Sequence, residues 1–449
     1  MLSQSRKIVK ISCYLVVLLL LVSSHSFAAA KIENWQTAQG SRVYYVHADG
    51  LPMVDVQVIF DAGSARDGEK FGVATMTAAM LDTGAGSWNA DDIAKRFESV
   101  GASFGTDVSN DMMTFALRSL TDKALLDSAL TTMQTILTKP KFNEPDFKRE
   151  KARLLAVLKQ QEELPANVAS VAFYKTLYGS HPYGHLSAGT TKTVVPLSTK
   201  DLKTFYQTYC VAENAIVVIV GDLSKEQAEQ TAEFLVKDLP KGKKTDPIPD
   251  VSSPTQASKQ HIEFPSTQTH VLVGLPVTYR KDPDYFSLYV GNHILGGSGL
   301  VSKLFDEVRE KRGLAYSASS AFNVLAKPAP FVASLQTRND QTEQALDVLN
   351  KTLADFVSKG PSEEELKAAK QNIIGGFAMR FDTNKELSAY VAMIGFYQMP
   401  LDYLDTFTKN IENTSVASIT DAFKRRLNLN ALQTVTVGKT EKAKEASAK

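Results

Sequence analysis

The chain has 449 residues, 43% of them hydrophobic and 22% charged, with 50 Lys and Arg against 49 Asp and Glu. At roughly 100–200 residues per domain, about two to four domains are expected, and the chain is long enough to bury cores without disulfide staples. The balanced charge carries no basic stripe, which excludes an electrostatic nucleic-acid binder and argues against a protein held to a charged membrane surface.

The N-terminus differs from the rest. Arg6, Lys7 and Lys10 precede an apolar run from Cys13 to Val22, and small residues follow from Ser26 to Ala30. A charged start, an apolar stretch and a small-residue end predict a signal peptide over residues 1–30, hence an exported chain. The apolar run is shorter than the roughly 20 residues a membrane span needs. An uncleaved N-terminal anchor is the alternative. Removal of residues 1–30 takes away three basic residues and no acidic ones, leaving 47 against 49. Of the two cysteines only Cys210 then remains. It can form no internal disulfide and reads as a small buried hydrophobe.

Further along, Met53 to Asp61 alternates apolar and polar residues, the pattern of a half-buried strand, and Gly63 and Gly68 mark the turn after it. Residues 72–81 are small and apolar, as in a buried helix. Amphipathic spacing predicts helices near 90–100, 122–137 and 144–162, with strand-like sequence at 104–118. The β-branched run Asn214 to Gly221 is long enough for a buried central strand. Residues 239–256 are dominated by Pro, Gly, Ser and Lys and predict an exposed linker. Beyond it, His270 to Leu275 reads as a strand and 284–295 as an apolar helix. Ser362 ahead of Glu363, Glu364 and Glu365 reads as an N-cap, and residues 441–449 as a flexible tail.

Two stretches recur. Leu137 to Lys151 and Phe356 to Lys370 both read as a helix end, a Pro-marked turn and an acidic helix start. Asn214 to Gly221 is answered by Asn430 to Gly438 in the same order. This internal repeat predicts an α+β chain of two homologous lobes, residues 31–238 and 257–440. Each lobe is expected to be a mainly antiparallel sheet with helices packed on it.

The segment Phe71-Gly-Val-Ala-Thr-Met-Thr-Ala-Ala-Met-Leu-Asp-Thr-Gly84 resembles the active-site helix of the pitrilysin/insulinase metallopeptidases. That family carries an inverted zinc motif, His-x-x-Glu-His. Two His one helical turn apart hold Zn²⁺, and the adjacent Glu activates the bound water. Here the two His positions fall on Thr75 and Ala79 and the Glu position on Ala78. The third ligand, a Glu on a later helix, falls near Leu155 or Ala156. Glu150 and Glu162 lie more than a turn away and read as surface-face residues. The resemblance continues through Tyr178-Gly-Ser-His-Pro-Tyr-Gly184, Leu197 to Gly221, Ile294 to Phe305 and Val308-Arg-Glu-Lys-Arg-Gly-Leu-Ala-Tyr-Ser317. It implies that Arg312 and Tyr316 approach the substrate backbone and the transition-state oxyanion.

In small bacterial members of this family two chains pair, one bearing the zinc motif and the other the Arg/Tyr pair. The resemblance therefore implies a non-catalytic partner subunit of a heterodimeric zinc metalloendopeptidase, acting on peptides or unfolded protein in the periplasm. This chain would hold no metal or cofactor, and zinc would sit in a homologous partner bearing the motif. A non-enzymatic peptide-binding or envelope scaffold protein built on the same fold is the alternative. An independent peptidase with a relocated metal would have to draw on His181 and His185, but Pro182 and Gly184 break the helix that would align them. Arg312 has a plainer reading as a cation pairing near a helix end, and Tyr316 as an ordinary strand residue. The run Gly296-Gly-Ser-Gly299 lacks the spacing of a phosphate cradle and reads as a hinge or substrate-facing loop.

Overall fold

A computed structural model describes residues 31–440; the expected signal peptide and the expected C-terminal tail lie outside the described residues. Among the described residues no helix is long and apolar enough to cross a membrane.

The first sheet contains β1 (Glu33–Gln36), β2 (Arg42–His47), β3 (Met53–Phe60), β4 (Ser103–Val108), β5 (Met113–Leu120) and β6 (Ala215–Gly221), in the order β1-β2-β6-β3-β5-β4. The second contains β7 (Ser258–Glu263), β8 (Gln268–Thr278), β9 (Ala315–Phe322), β10 (Ala329–Arg338) and β11 (Gln433–Gly438), in the order β9-β10-β8-β11-β7. Read from β2, the first sheet runs β2-β6-β3-β5-β4; read from the other edge, the second runs β7-β11-β8-β10-β9. The two orders superimpose strand for strand. Each sheet also has one parallel pair, β2 with β6 and β7 with β11, among otherwise antiparallel neighbours. The internal repeat is thus a repeat of topology. The strand-like stretch at 104–118 resolves into the hairpin β4–β5.

The longer helices of the first half are α1 (Val73–Leu81), α2 (Ala90–Glu98), α3 (Lys123–Thr138), α4 (Glu144–Glu162), α5 (Pro165–Tyr178), α6 (Thr199–Tyr209) and α7 (Lys225–Val236). Those of the second half are α8 (Tyr285–Asn292), α9 (Thr342–Lys359), α10 (Glu363–Gly375), α11 (Asn384–Tyr397), α12 (Tyr403–Glu412) and α13 (Val416–Arg426). Local chemistry sets their ends. Pro165 occupies the first turn of α5, where a missing N–H costs nothing, and Gly179 at φ +57° stops the helix. Ser362 caps α10 by accepting from Glu365 N, and the Glu365 carboxylate accepts in turn from Ser362 N.

Two helices cross between the halves. α5, from the first half, packs on β8 and β11 of the second sheet, and α11, from the second half, packs on β2, β3 and β6 of the first. The fully buried Phe173 of α5 joins Val435 and Val437 in one apolar cluster. A fully buried side chain of this size contributes about 1.5–3 kcal/mol. In the opposite direction Gln57 Nε2 donates to Ser388 Oγ at 2.8 Å, and Arg42 donates to the Gly395 carbonyl at 2.9 Å. A Cβ on Gly395 would fall 2.6 Å from Tyr44 Cδ2, so α11 lies against the first sheet too closely for any side chain there. β6 shows why the crossing is required. Val217 and Ile219 face the first core, while Ile216, Val218 and Val220 point to the other face and are also buried. Such a strand needs cover on both sides, and α11 supplies the second.

The crossing converges on Asp111, a buried carboxylate that accepts from Tyr183 Oη at 2.6 Å, Tyr397 Oη at 2.9 Å and Ala326 N at 2.8 Å. Burial raises its pKa, and these three donors oppose the rise. The expected linker has no regular structure and most of it is exposed, but it is docked rather than free. Thr245 Oγ1 donates to Asp61 at 2.6 Å, Arg66 donates to the Asp246 carbonyl at 2.8 Å, and Ile248 is buried.

Candidate functional site

α1 lies against α4, α6 and β4. Its start is held by Asp67, whose carboxylate accepts from Gly72 N at 2.7 Å and Ala74 N at 2.9 Å. Burial pushes the Asp67 carboxyl up to about 7, against the pull of those two N–H groups. Gly72 has φ +95°, a region that suits glycine, and a Cβ there would sit 2.9 Å from the Ala188 carbonyl. The start of the helix that resembles the zinc helix is therefore firmly fixed.

Its chemistry is absent. Thr75 and Ala79, one turn apart, share a half-buried face, and Thr75 Oγ1 is spent on the Ser187 carbonyl at 2.7 Å. Ala78 is buried in the first core. Leu155 is half-buried and Ala156 exposed on α4. None of these five side chains offers an imidazole or carboxylate, so zinc does not fit this helix. Among the described residues no group of three or more His, Cys, Asp or Glu is placed to hold a metal.

Two readings from the sequence need correction. Glu150 does not lie on a surface face: it is buried, and its carboxylate pairs with Arg153 at 2.9 Å and Arg149 at 3.3 Å. Helical spacing places 150 on the inward side of α4, and the two arginines make its burial tolerable. Gly296 and Gly297 form no loose hinge but continue α8 as a π-helical turn, His293–Gly297. A Cβ at Gly296 would lie 2.3 Å from Ser320 Oγ, so this glycine serves close packing. Glu162 is exposed and accepts from Thr191 Oγ1 at 2.6 Å.

The two histidines are sent apart. His181 accepts from Tyr183 N at 3.1 Å through Nδ1, and its Nε2 lies 3.0 Å from the Pro249 carbonyl. His185 is buried, stacked on Phe71 at 3.9 Å between centroids and 4.0 Å from Asp67; burial lowers its pKa. They share no coordination point. Cys210 is fully buried, and burial raises its thiol well above the ordinary range.

Arg312 and Tyr316 lie at the edge of the second sheet, Arg312 on the turn before β9 and Tyr316 at the start of that strand. The turn begins with a π-helical segment, Asp306–Glu310, and reverses at Gly313 with φ +61° before β9 starts. Tyr316 sits where the β9–β10 register shifts between Ala315 and Ala318. An irregularity of this kind re-aims a side chain, and Tyr316 is 79% exposed. Arg312 is partly exposed and bonded to Glu307, whose pKa is lowered by Lys311 and Arg312. Arg312 and Tyr316 do not bond to each other. Each has its own anchor, and neither anchor was singled out in the sequence. Arg309 lies over the Tyr316 ring at 4.6 Å and the Phe305 ring at 4.8 Å, a cation–π clamp. Glu307 reaches Arg312 across five residues, a spacing the π-helical turn brings into range and an α-helical wheel does not.

The chain is similar in sequence and fold to several known proteins. The model of the insulinase family, peptidase family M16, matches residues 42–191, and that of the peptidase M16 inactive domain matches residues 196–373. A Helicobacter pylori protein named non-peptidase homolog YmxG is 26% identical over 405 residues, covering 90% of this chain and 93% of its own. The Bacillus subtilis protein named uncharacterized zinc protease YmxG is 23% identical over 360 residues, 80% and 86% of the two chains. The crystal structure of a peptidase M16 inactive domain from Pseudomonas fluorescens superposes with a TM-score of 0.89 at 36% identity, over 92% of this chain and 99% of that one.

Proposed function

Because the chain belongs to the insulinase family, peptidase family M16, and its own zinc helix carries no ligand, we propose that it is the zinc-free subunit of a heterodimeric zinc metalloendopeptidase. The observation that carries this reading is a pair of facts on one chain. The frame of α1 is preserved with Thr75, Ala78 and Ala79 at the chemical positions, while Arg312 and Tyr316 remain presented to solvent, each held by a dedicated neighbour.

The partner is a homologous chain bearing the zinc motif, and the substrate is a peptide or unfolded segment held between the two. Zinc in that partner would polarise the scissile carbonyl and activate water. This chain adds hydrogen-bond donors. The Arg312 guanidinium, on the turn before β9, and the Tyr316 hydroxyl, at the start of β9, donate to the substrate backbone and to the oxygen on which negative charge develops. The assembly acts after export, in the periplasm.

The test is cleavage of a fluorogenic peptide by this chain alone, by a zinc-motif M16 chain from the same genome alone, and by the mixture. Activity confined to the mixture, with zinc tracking the partner, supports the proposal. A stable but inactive complex favours a binding or scaffold role instead, a reading that the name of the Helicobacter relative favours.

A further inference from the structure

A cleft of about 410 Å³ opens where the two lobes and the docked linker meet, away from α1 and from Arg312. Its charges do not balance. Three carboxylates reach it, and two are already engaged. Asp61 holds Arg66 through two N–H groups at 2.9 and 2.8 Å, and also accepts from Thr245. Asp111 accepts the three bonds described above. Lys327 is paired with Asp250 at 2.5 Å.

What remains is Arg42, Lys244, Arg280 and Lys281 against Glu213. Among the described residues none of these four cations has a carboxylate within ion-pair distance. Arg42 donates once, to the Gly395 carbonyl at 2.9 Å. Arg280 is the most informative. Its guanidinium lies 5.2 Å from the centroid of the Tyr397 ring, and Nη2 reaches the Val324 carbonyl at 3.3 Å. Its Nε–H is buried with no hydrogen-bond partner among the described residues. A buried donor without an acceptor is costly, and like charges gathered around one cleft repel. An anion removes both penalties together.

The four cations come from three separate segments: β2, the linker, and the residues following β8. Arginine forks and lysine point charges on converging segments suit a compact, multiply charged oxyanion better than a single carboxylate. Phe396 and Ile248 line the same cleft and offer apolar surface for an organic remainder. We propose that this junction binds a phosphate-class anion, so that its occupant ties both lobes to the linker. The proposal is independent of the peptidase role.

The test is calorimetric titration of the full chain with inorganic pyrophosphate, ADP and adenosine at matched ionic strength. It is repeated with Arg280→Gln and with the double variant Lys244→Gln/Lys281→Gln, whose lysines are exposed and outside the core. Saturable one-to-one binding of pyrophosphate or ADP, weakened about tenfold or more in both variants, supports the site. ADP tighter than pyrophosphate adds the apolar wall to it; equal affinities limit it to the charged head. No saturable binding, binding abolished by matched chloride, adenosine binding as tightly as ADP, or variants that bind like wild type would overturn it. The unfolding midpoint of each variant without anion is read alongside. A midpoint unchanged or raised, together with weakened binding, supports the charge-surplus argument; a folded variant that retains full affinity contradicts it.

Discussion

Arg312 reaches back to Glu307, its Nη1 donating to the Glu307 carbonyl oxygen at 2.6 Å and to Oε2 at 2.6 Å. Both Nη1 hydrogens are thereby committed, and the donors on Nε and Nη2 are not bonded among the described residues. The guanidinium is held from behind by one carboxylate while its remaining donors stay available to an incoming group. In a reconstituted complex Arg312→Ala is expected to lower kcat/KM by about 10²-fold, the usual cost of losing one oxyanion donor. Glu307→Gln keeps the guanidinium but weakens its anchor, so its loss is smaller. Steady-state kinetics on both variants would reveal the order; a Glu307→Gln loss exceeding that of Arg312→Ala contradicts the anchoring role.

Arg309 and Tyr316 should act as a unit. If Arg309 matters only by holding the Tyr316 ring, Arg309→Ala and Tyr316→Phe are not additive, and the double variant loses little more than the worse single one. Additive losses in the double-mutant cycle would show that Arg309 works elsewhere.

The crossed helices make a directional prediction. Phe173→Ala, in the first half of the chain, is expected to cost about 3–5 kcal/mol. Its local effect falls on the second sheet, against which Phe173 packs. Hydrogen exchange should accelerate in β8 and β11 before it does in β3. Acceleration confined to the first sheet would refute the exchange.

Asp284 gives the pH dependence. Arg425 and then Arg426 donate to its carboxylate, at 2.8 and 2.7 Å for the shortest bonds, and hold its pKa down at about 2. Because the folded value lies below the unfolded one of about 4, the pair stabilises the fold above pH 4. That contribution is lost as pH falls from about 4 to about 2. Unfolding midpoints measured across this range should fall less steeply in Asp284→Asn than in wild type; parallel curves would show that the pair contributes nothing.

Much of the fold was legible in the sequence because the repeat leaves matching punctuation. The Pro-marked turn before Glu144 and the one before Glu363 do mark equivalent helix pairs, α3–α4 and α9–α10, and the two β-branched runs are equivalent strands, β6 and β11. The crossing of α5 and α11 was not legible. Amphipathic spacing says that a helix has an apolar face and does not say which sheet receives it. One signal was present, the unbroken apolar run Ala215 to Val220, which demands cover on both faces. At the candidate site, Arg312 and Tyr316 were marked by resemblance. Of their anchors, Glu307 was hidden because a π-helical turn changes which residues are neighbours, and Arg309 because its contact with Tyr316 depends on the chain reversal at Gly313.

The central claim is that this chain completes a zinc site held by another. It is tested most directly by the rate at which a zinc-motif partner cleaves a peptide when supplied with wild-type chain or with the Arg312→Ala/Tyr316→Phe double variant, assembly being checked by co-elution. The account predicts strong stimulation by wild type and a loss of about 10²-fold or more with a variant that still assembles. Equal stimulation by both, or a partner fully active alone, would contradict it.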